Sequence, residues 1–143
     1  MKVKKVTALL LVVMLIMQGG LAVEKARSSA PKDLNVLVTP QWINTNEIRL
    51  DLRFAGGNAE CTGRITGLTG TSGITATFLL ERRNSNGAYS FVRSWSVSAT
   101  GRHLTFFGTN PVSSGFTYRL SVIAEVTRNG FAETVSTSVE KYY

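Results

Sequence analysis

SGFTYRLSVIAEVT, residues Ser114–Thr127, decides how the rest of the chain is read. Tyr118, Leu120, Val122, Ala124 and Val126 fall in one phase of this stretch; Thr117, Arg119, Ser121, Glu125 and Thr127 fall in the other. A period of two over that length describes a β-strand with one buried and one wet face. A helix would scatter the same apolar residues around its circumference. The stretch lies at the upper end of strand lengths, which suits an interior position in a sheet.

Working outward, alternation recurs along most of the chain. Val36–Val38 reads as a short first strand ended by Pro40. Glu47–Phe54 sets Ile48, Leu50, Leu52 and Phe54 against Glu47, Arg49, Asp51 and Arg53. Ala59–Thr66 places Ala59, Cys61, Gly63 and Ile65 inward, and Ile74–Arg83 does so with Ile74, Ala76, Phe78 and Leu80. Tyr89–Val97 is a return strand in which Val92 and Trp95 break simple alternation, the mark of a bulge. His103–Phe107 and Phe131–Val139 complete the set.

Gly56-Gly57-Asn58 and Arg128-Asn129-Gly130 read as tight turns, Gly67–Gly73 as a loop, and Asn84-Ser85-Asn86-Gly87 as a hairpin with a primed turn. Seven or so strands with no helical period among them predict an all-β antiparallel sandwich or small barrel.

The N-terminus reads differently. Met1–Lys5 carries three lysines, Val6–Met17 is uninterruptedly apolar, and Gly20 and Ala22 offer the small residues of a cleavage site. That order is a secretory signal peptide over residues 1–22. Its apolar run falls short of the roughly 18 residues that span a bilayer, so no stable membrane anchor is expected after cleavage. Residues 23–33 form a flexible lead-in, and 34–143 a single sandwich domain. Losing Lys2, Lys4 and Lys5 lowers the net charge from +7 to about +4. With no basic run longer than Arg82-Arg83, nucleic acid is not an expected partner.

The run G-F-T-Y-R-L-S-V-I-A-E-V resembles the penultimate strand of fibronectin type III and immunoglobulin-like domains, where a tyrosine opens an alternating strand. The wider pattern runs from Pro40-x-Trp42 through A-E-C-T-G-R-I-T-G and R-S-W-S to S-G-F-T-Y-R-L. It is similar to a group of small secreted proteins of Gram-positive bacteria with one cysteine, one domain and no assigned function. The resemblance implies an exported fibronectin III-like or immunoglobulin-like sandwich and carries no site with it. It also implies a departure: Leu120 stands where the second cysteine of an immunoglobulin domain would be, so the intersheet disulfide is missing.

Few residues offer chemistry. Cys61, the single cysteine, shares a phase with apolar neighbours and is expected to be buried and reduced. His103, the single histidine, is expected on a solvent-facing rim. Two such residues cannot build a zinc site, the acids are too dispersed for calcium, and no cofactor is expected. Asp51, Glu81, Glu125 and Glu133 could meet as catalytic carboxylates, but cross-strand ion pairs with Arg49, Arg53, Arg83 or Arg119 are the commoner reason for such residues; no enzyme is expected. Tyr118 is expected to anchor a tyrosine-corner-like hydrogen bond, and one ring of Phe106-Phe107 to be exposed.

The hairpin Ile74–Val97 combines Arg82, Arg83 and Arg93 with Tyr89 and Trp95, the candidate binding surface. The same arginines, with Arg102, also suit gatekeepers that keep sheet edges from pairing. Two functional classes follow. The first is a non-catalytic secreted binding module, acting on an anionic cell-wall polymer or another extracellular protein; the second is a small bacteriocin-like effector or inhibitor.

Overall fold

A computed structural model of the chain describes residues 41–143. The expected signal peptide, the lead-in and the strand at Val36–Val38 lie outside the described residues. Seven strands follow in chain order: β1 (Thr45–Ala55), β2 (Asn58–Gly67), β3 (Thr71–Arg83), β4 (Tyr89–Thr100), β5 (His103–Pro111), β6 (Thr117–Arg128) and β7 (Phe131–Tyr142). They form two antiparallel sheets, a three-stranded one ordered β1-β2-β5 and a four-stranded one ordered β4-β3-β6-β7.

β6 is interior, paired with β3 on one side and β7 on the other. Tyr118, Leu120, Val122, Ala124 and Val126 are all buried, so its apolar phase faces the core as its period requires. The tyrosine at its start donates its hydroxyl hydrogen to the Ser113 carbonyl at 2.8 Å, tying strand to preceding loop as expected. Leu79 and Glu81 on the neighbouring strand point the other way, while Ile74, Ala76, Phe78 and Leu80 are buried.

The turns follow their residues. Gly56 and Gly57 both have positive φ and connect β1 to β2, and Asn129-Gly130 does the same between β6 and β7. Both are primed turns, whose twist matches that of the flanking strands. The third hairpin departs from expectation. Gly87 alone has positive φ, Gly87 N–H bonds to the Asn84 carbonyl, and Asn84 N–H bonds to Ala88. This is the longer loop in which an ordinary turn is followed by a left-handed residue, because five residues rather than two join the strands.

The stretch expected as a loop over Gly67–Gly73 is mostly strand. Within it Leu68–Gly70 alone lie outside the strands, crossing from one sheet to the other, and Thr71 closes the connection with a 2.7 Å hydroxyl bond to the Leu68 carbonyl. In β4, Leu80 and Glu81 face Arg93 and Phe91, leaving Val92 as the extra residue of the expected bulge.

The core is built on aromatic rings seated over glycines. Phe78 and Phe106 stack with centroids 4.1 Å apart, and Trp95 tilts against Phe106 at 5.3 Å. A Cβ at Gly63 would stand 2.2 Å from Phe78 Cε1, and one at Gly108 2.6 Å from Phe106 Cζ and 2.9 Å from Trp95 Cε2. Neither position accepts a Cβ unless these rings shift. Cys61 lies in the same layer, fully buried, paired with Leu52 on one side and Gly108 on the other. Burial pushes its thiol up to about 11, so it stays protonated and unreactive at neutral pH.

A thiol probe should therefore label Cys61 only after unfolding. Cys61→Ala should cost about 1–3 kcal/mol in a denaturant titration, through the cavity left behind. Rapid labelling of the native protein would contradict this placement.

Candidate functional site

The sandwich presents two outer faces of opposite character. On the three-stranded sheet, directly opposed residues share a face, giving the rows Glu47-Thr66-His103, Arg49-Arg64-Thr105, Asp51-Thr62-Phe107 and Arg53-Glu60-Thr109. Opposite charges alternate along β1, and Arg49 and Arg53 bond Glu47 and Asp51 at 2.6 Å. These pairs run along one strand, two residues apart, instead of across strands as expected; residues i and i+2 lie on the same side of a strand and need no partner.

The four-stranded sheet turns a different surface outward. Its rows read Ser98-Thr75-Glu125-Thr134, Ser96-Thr77-Ile123-Ser136 and Ser94-Leu79-Ser121-Ser138. Small hydroxyls occupy nine of these twelve positions. Leu79 and Ile123, diagonal neighbours, make an apolar centre, and Ile123 is 61% exposed. Phe91, 68% exposed, flanks Leu79 just beyond the bulge. Because the hydroxyl side chains are short, shallow open depressions run between the strands beside Thr75, Ser98 and Glu125.

One end of this face is closed by a clamp across all four strands. Arg119 of β6 bonds Glu81 of β3 through Nε (2.9 Å) and Nη2 (2.7 Å). This is the one cross-strand ion pair among the described residues, between residues directly opposed in the ladder. The Arg119 guanidinium lies 3.7 Å from the centroid of the Tyr89 ring, and the Tyr89 hydroxyl donates to Glu140 of β7. That hydrogen bond, with the Glu140 charge, raises the Tyr89 phenol above its ordinary value.

The five candidate surface residues do not form one patch. Arg83 and Arg93 are exposed, the latter on the bulge of an edge strand, where a gatekeeper sits. Arg82 is half-buried at the end of the sandwich, 4.5 Å from the Phe116 ring. Tyr89 is engaged in the clamp. Trp95 corrects the expectation most sharply: the bulge precedes it, so it is opposed to Phe78 and packs against the core. His103 is exposed on the opposite sheet, and Cys61 is buried several residues along from it. Of the Phe106-Phe107 pair, Phe106 is buried and Phe107 exposed, as expected.

Glu133 has a structural task. Its carboxylate accepts from Ile43 N–H (2.5 Å), Asn44 N–H (2.8 Å) and the Thr45 hydroxyl (3.0 Å), fastening the segment before β1 to β7. Asn44 completes the joint by donating to the Val126 and Phe131 carbonyls. Desolvation alone would raise the Glu133 carboxyl, but these donors outweigh it and hold it below the usual value. Glu125 has no ion-pair partner among the described residues. No group of three metal-ligating side chains occurs among the described residues.

The hydroxyl face escaped a reading aimed at charged and aromatic residues. Its signal was present in the outward phase, above all in Ser94-Trp95-Ser96-Val97-Ser98 and Thr134-Val135-Ser136.

No family model matches the chain, and no curated protein matches it. Among solved structures, the solution structure of R. palustris CsgH is similar at a TM-score of 0.40 and 14% sequence identity, covering 63% of this chain and 88% of that one. A likeness of that size transfers no function.

A depressed carboxyl stabilises the fold above its unfolded value, near pH 4.3, and the contribution is lost as pH falls through the folded value. Glu133→Gln should therefore lower stability at pH 7 by about 1 kcal/mol and flatten the acid limb of a stability–pH curve below about pH 5. An unchanged acid limb would show that the carboxylate does not fasten this joint.

Proposed function

We propose that the chain is an exported, non-catalytic binding module that recognises another extracellular protein through the outer face of its four-stranded sheet. The observation that carries this reading is the pattern of the face: an apolar strip of Phe91, Leu79 and Ile123 inside a field of short hydroxyl side chains. An apolar centre within a polar surround is the anatomy of a protein interface. Serine and threonine have few rotamers to lose on contact, so ordering such a surface costs little. No lysine interrupts the three rows that make the face.

Export is supported by the basic, apolar, small-residue order of the N-terminus and by the resemblance to small secreted Gram-positive proteins. An anionic wall polymer is the weaker partner. Among the five candidate residues Arg83 and Arg93 alone are exposed; Arg93 opposes buried Leu80, in the inward phase of its edge strand, and Arg83 shares the outer face with Glu125 and Glu140. The core is filled by side chains, so recognition by a sheet face suits this architecture better than a deep cleft.

Phe91→Ser with Ile123→Ser should leave thermal unfolding nearly unchanged and weaken capture of extracellular proteins of the producing cell by about tenfold or more. Arg49→Ser with Arg64→Ser, on the opposite face, should leave capture intact. Binding that survives the first pair but disappears with Arg83→Gln and Arg93→Gln, or at about 0.5 M salt, would assign the site to an anionic polymer instead.

A further inference from the structure

Among the described residues the sandwich has four edge strands, and three are guarded. β1 alternates Glu47, Arg49, Asp51 and Arg53 along its length. β4 carries the Val92 bulge with exposed Arg93 beside it. β5 is the shortest strand and ends at Pro111. Charges, bulges, proline and short length are the devices by which edges are kept from pairing. β7 has none of them over Thr134–Val139: TVSTSV holds no charge, proline or glycine, and its ladder with β6 has no register shift. Tyr143 N–H bonds back to the Phe116 carbonyl on the β6 side. On the period of an antiparallel ladder, the even-numbered residues Thr134, Ser136 and Ser138 therefore turn their N–H and C=O groups to the open side.

The sequence of β7 is also self-complementary. In an antiparallel pairing centred on Thr137, Val135 opposes the partner's Val139, Ser136 opposes the partner's Ser138, and Glu133 opposes the partner's Lys141. Inward residues meet inward ones and outward residues meet outward ones, as a continued sheet requires. Shifting the register by two residues in one direction sets Glu133 against Val139 and Lys141 against Phe131. Shifting it the other way sets Lys141 against Val135. Both shifts lose the opposed charges. Lys141 has no ion-pair partner among the described residues, and Glu133, whose oxygens also hold Ile43, Asn44 and Thr45, has no cation beside it there.

We infer that β7 is a homodimerisation edge, joining a second copy of the chain antiparallel about Thr137 to make one continuous eight-stranded sheet. The two-fold axis stands perpendicular to that sheet. Both hydroxyl faces then lie on the same side, and the proposed recognition surface becomes bivalent. Two linked sites raise avidity without any new contact to the target.

Sedimentation equilibrium on the chain recovered after export tests this and reads mass alone, so it stands apart from the identity of any target. A concentration-dependent monomer–dimer equilibrium is expected. Ser138→Pro removes an open-side donor, and Lys141→Glu sets like charges together. Each should raise the dimer dissociation constant by about tenfold or more, while Arg93→Glu on the other edge of the sheet leaves it unchanged. If Ser138→Pro fails to fold, Lys141→Glu decides alone. A chain that is monomeric up to about 1 mM overturns the inference. So does a dimer indifferent to Lys141→Glu, or one that forms only when residues 23–39 are removed, which would make the chain's own leading segment the occupant of β7.

Discussion

The ring of Phe78 lies against the bare backbone of Gly63, and the rings of Phe106 and Trp95 crowd the bare backbone of Gly108. Everything else in the sandwich is arranged around that contact. Stacked sheets sit about 10 Å apart, and two large rings stacked between them fit only where one sheet contributes no side chain. The glycines lie on neighbouring strands of the smaller sheet, two pairs apart in the ladder. Phe106 comes from that sheet and folds over its own Gly108; Phe78 and Trp95 reach across from the other. Cys61 and Ala59 continue the small-residue track beside them. The cysteine is thus a volume choice, and its raised thiol is a consequence of where it packs.

With the core closed in this way, the two outer faces are free to differ. Charges alternate on the three-stranded sheet and satisfy one another along β1. The four-stranded sheet keeps its charges at the ends, with Arg119, Glu81 and Glu140 in a clamp beneath Tyr89 and Glu125 at the other. The space between is left to hydroxyls and to Leu79, Ile123 and Phe91. A clamp spanning four strands stiffens the face against twisting, and a stiff surface of short side chains loses little on being covered. Edges follow the same division: guarded wherever a chance strand could add, plain along β7.

Much of this architecture was legible in the residues. Each of the seven strands of the described region contains a stretch read as strand, most of them by a period of two that burial of one face leaves and no loop imitates, while β3 and β5 run on into residues read as loop. The corner hydrogen bond of Tyr118 was legible as well, though not its partner Ser113, and so was the bulge at Val92. The bulge also explains what was misread. One extra residue reverses the phase after it, and Trp95, grouped with the exposed arginines by proximity in sequence, turns inward to meet Phe78. Tyr89 stands beside exposed arginines in the sequence, but its reach across β3 and β6 to Glu140 depends on strand order, which adjacency in sequence does not encode. Gly63 was placed correctly inward. Its role as a seat for Phe78 was hidden, since two residues on different sheets share no sequence pattern. The hydroxyl face was overlooked for a simpler reason: serine and threonine in an outward phase look like filler until four strands set them side by side.

A double-mutant cycle between Gly63 and Phe78 tests the central contact most directly, with Gly63→Ala, Phe78→Leu and the pair compared by urea denaturation. The added methyl should cost about 1–3 kcal/mol against the intact ring. It should cost markedly less against leucine, giving a coupling of about 1 kcal/mol or more. Additivity within about 0.5 kcal/mol would mean that the ring does not rest on the glycine and that the sheets take their spacing from elsewhere.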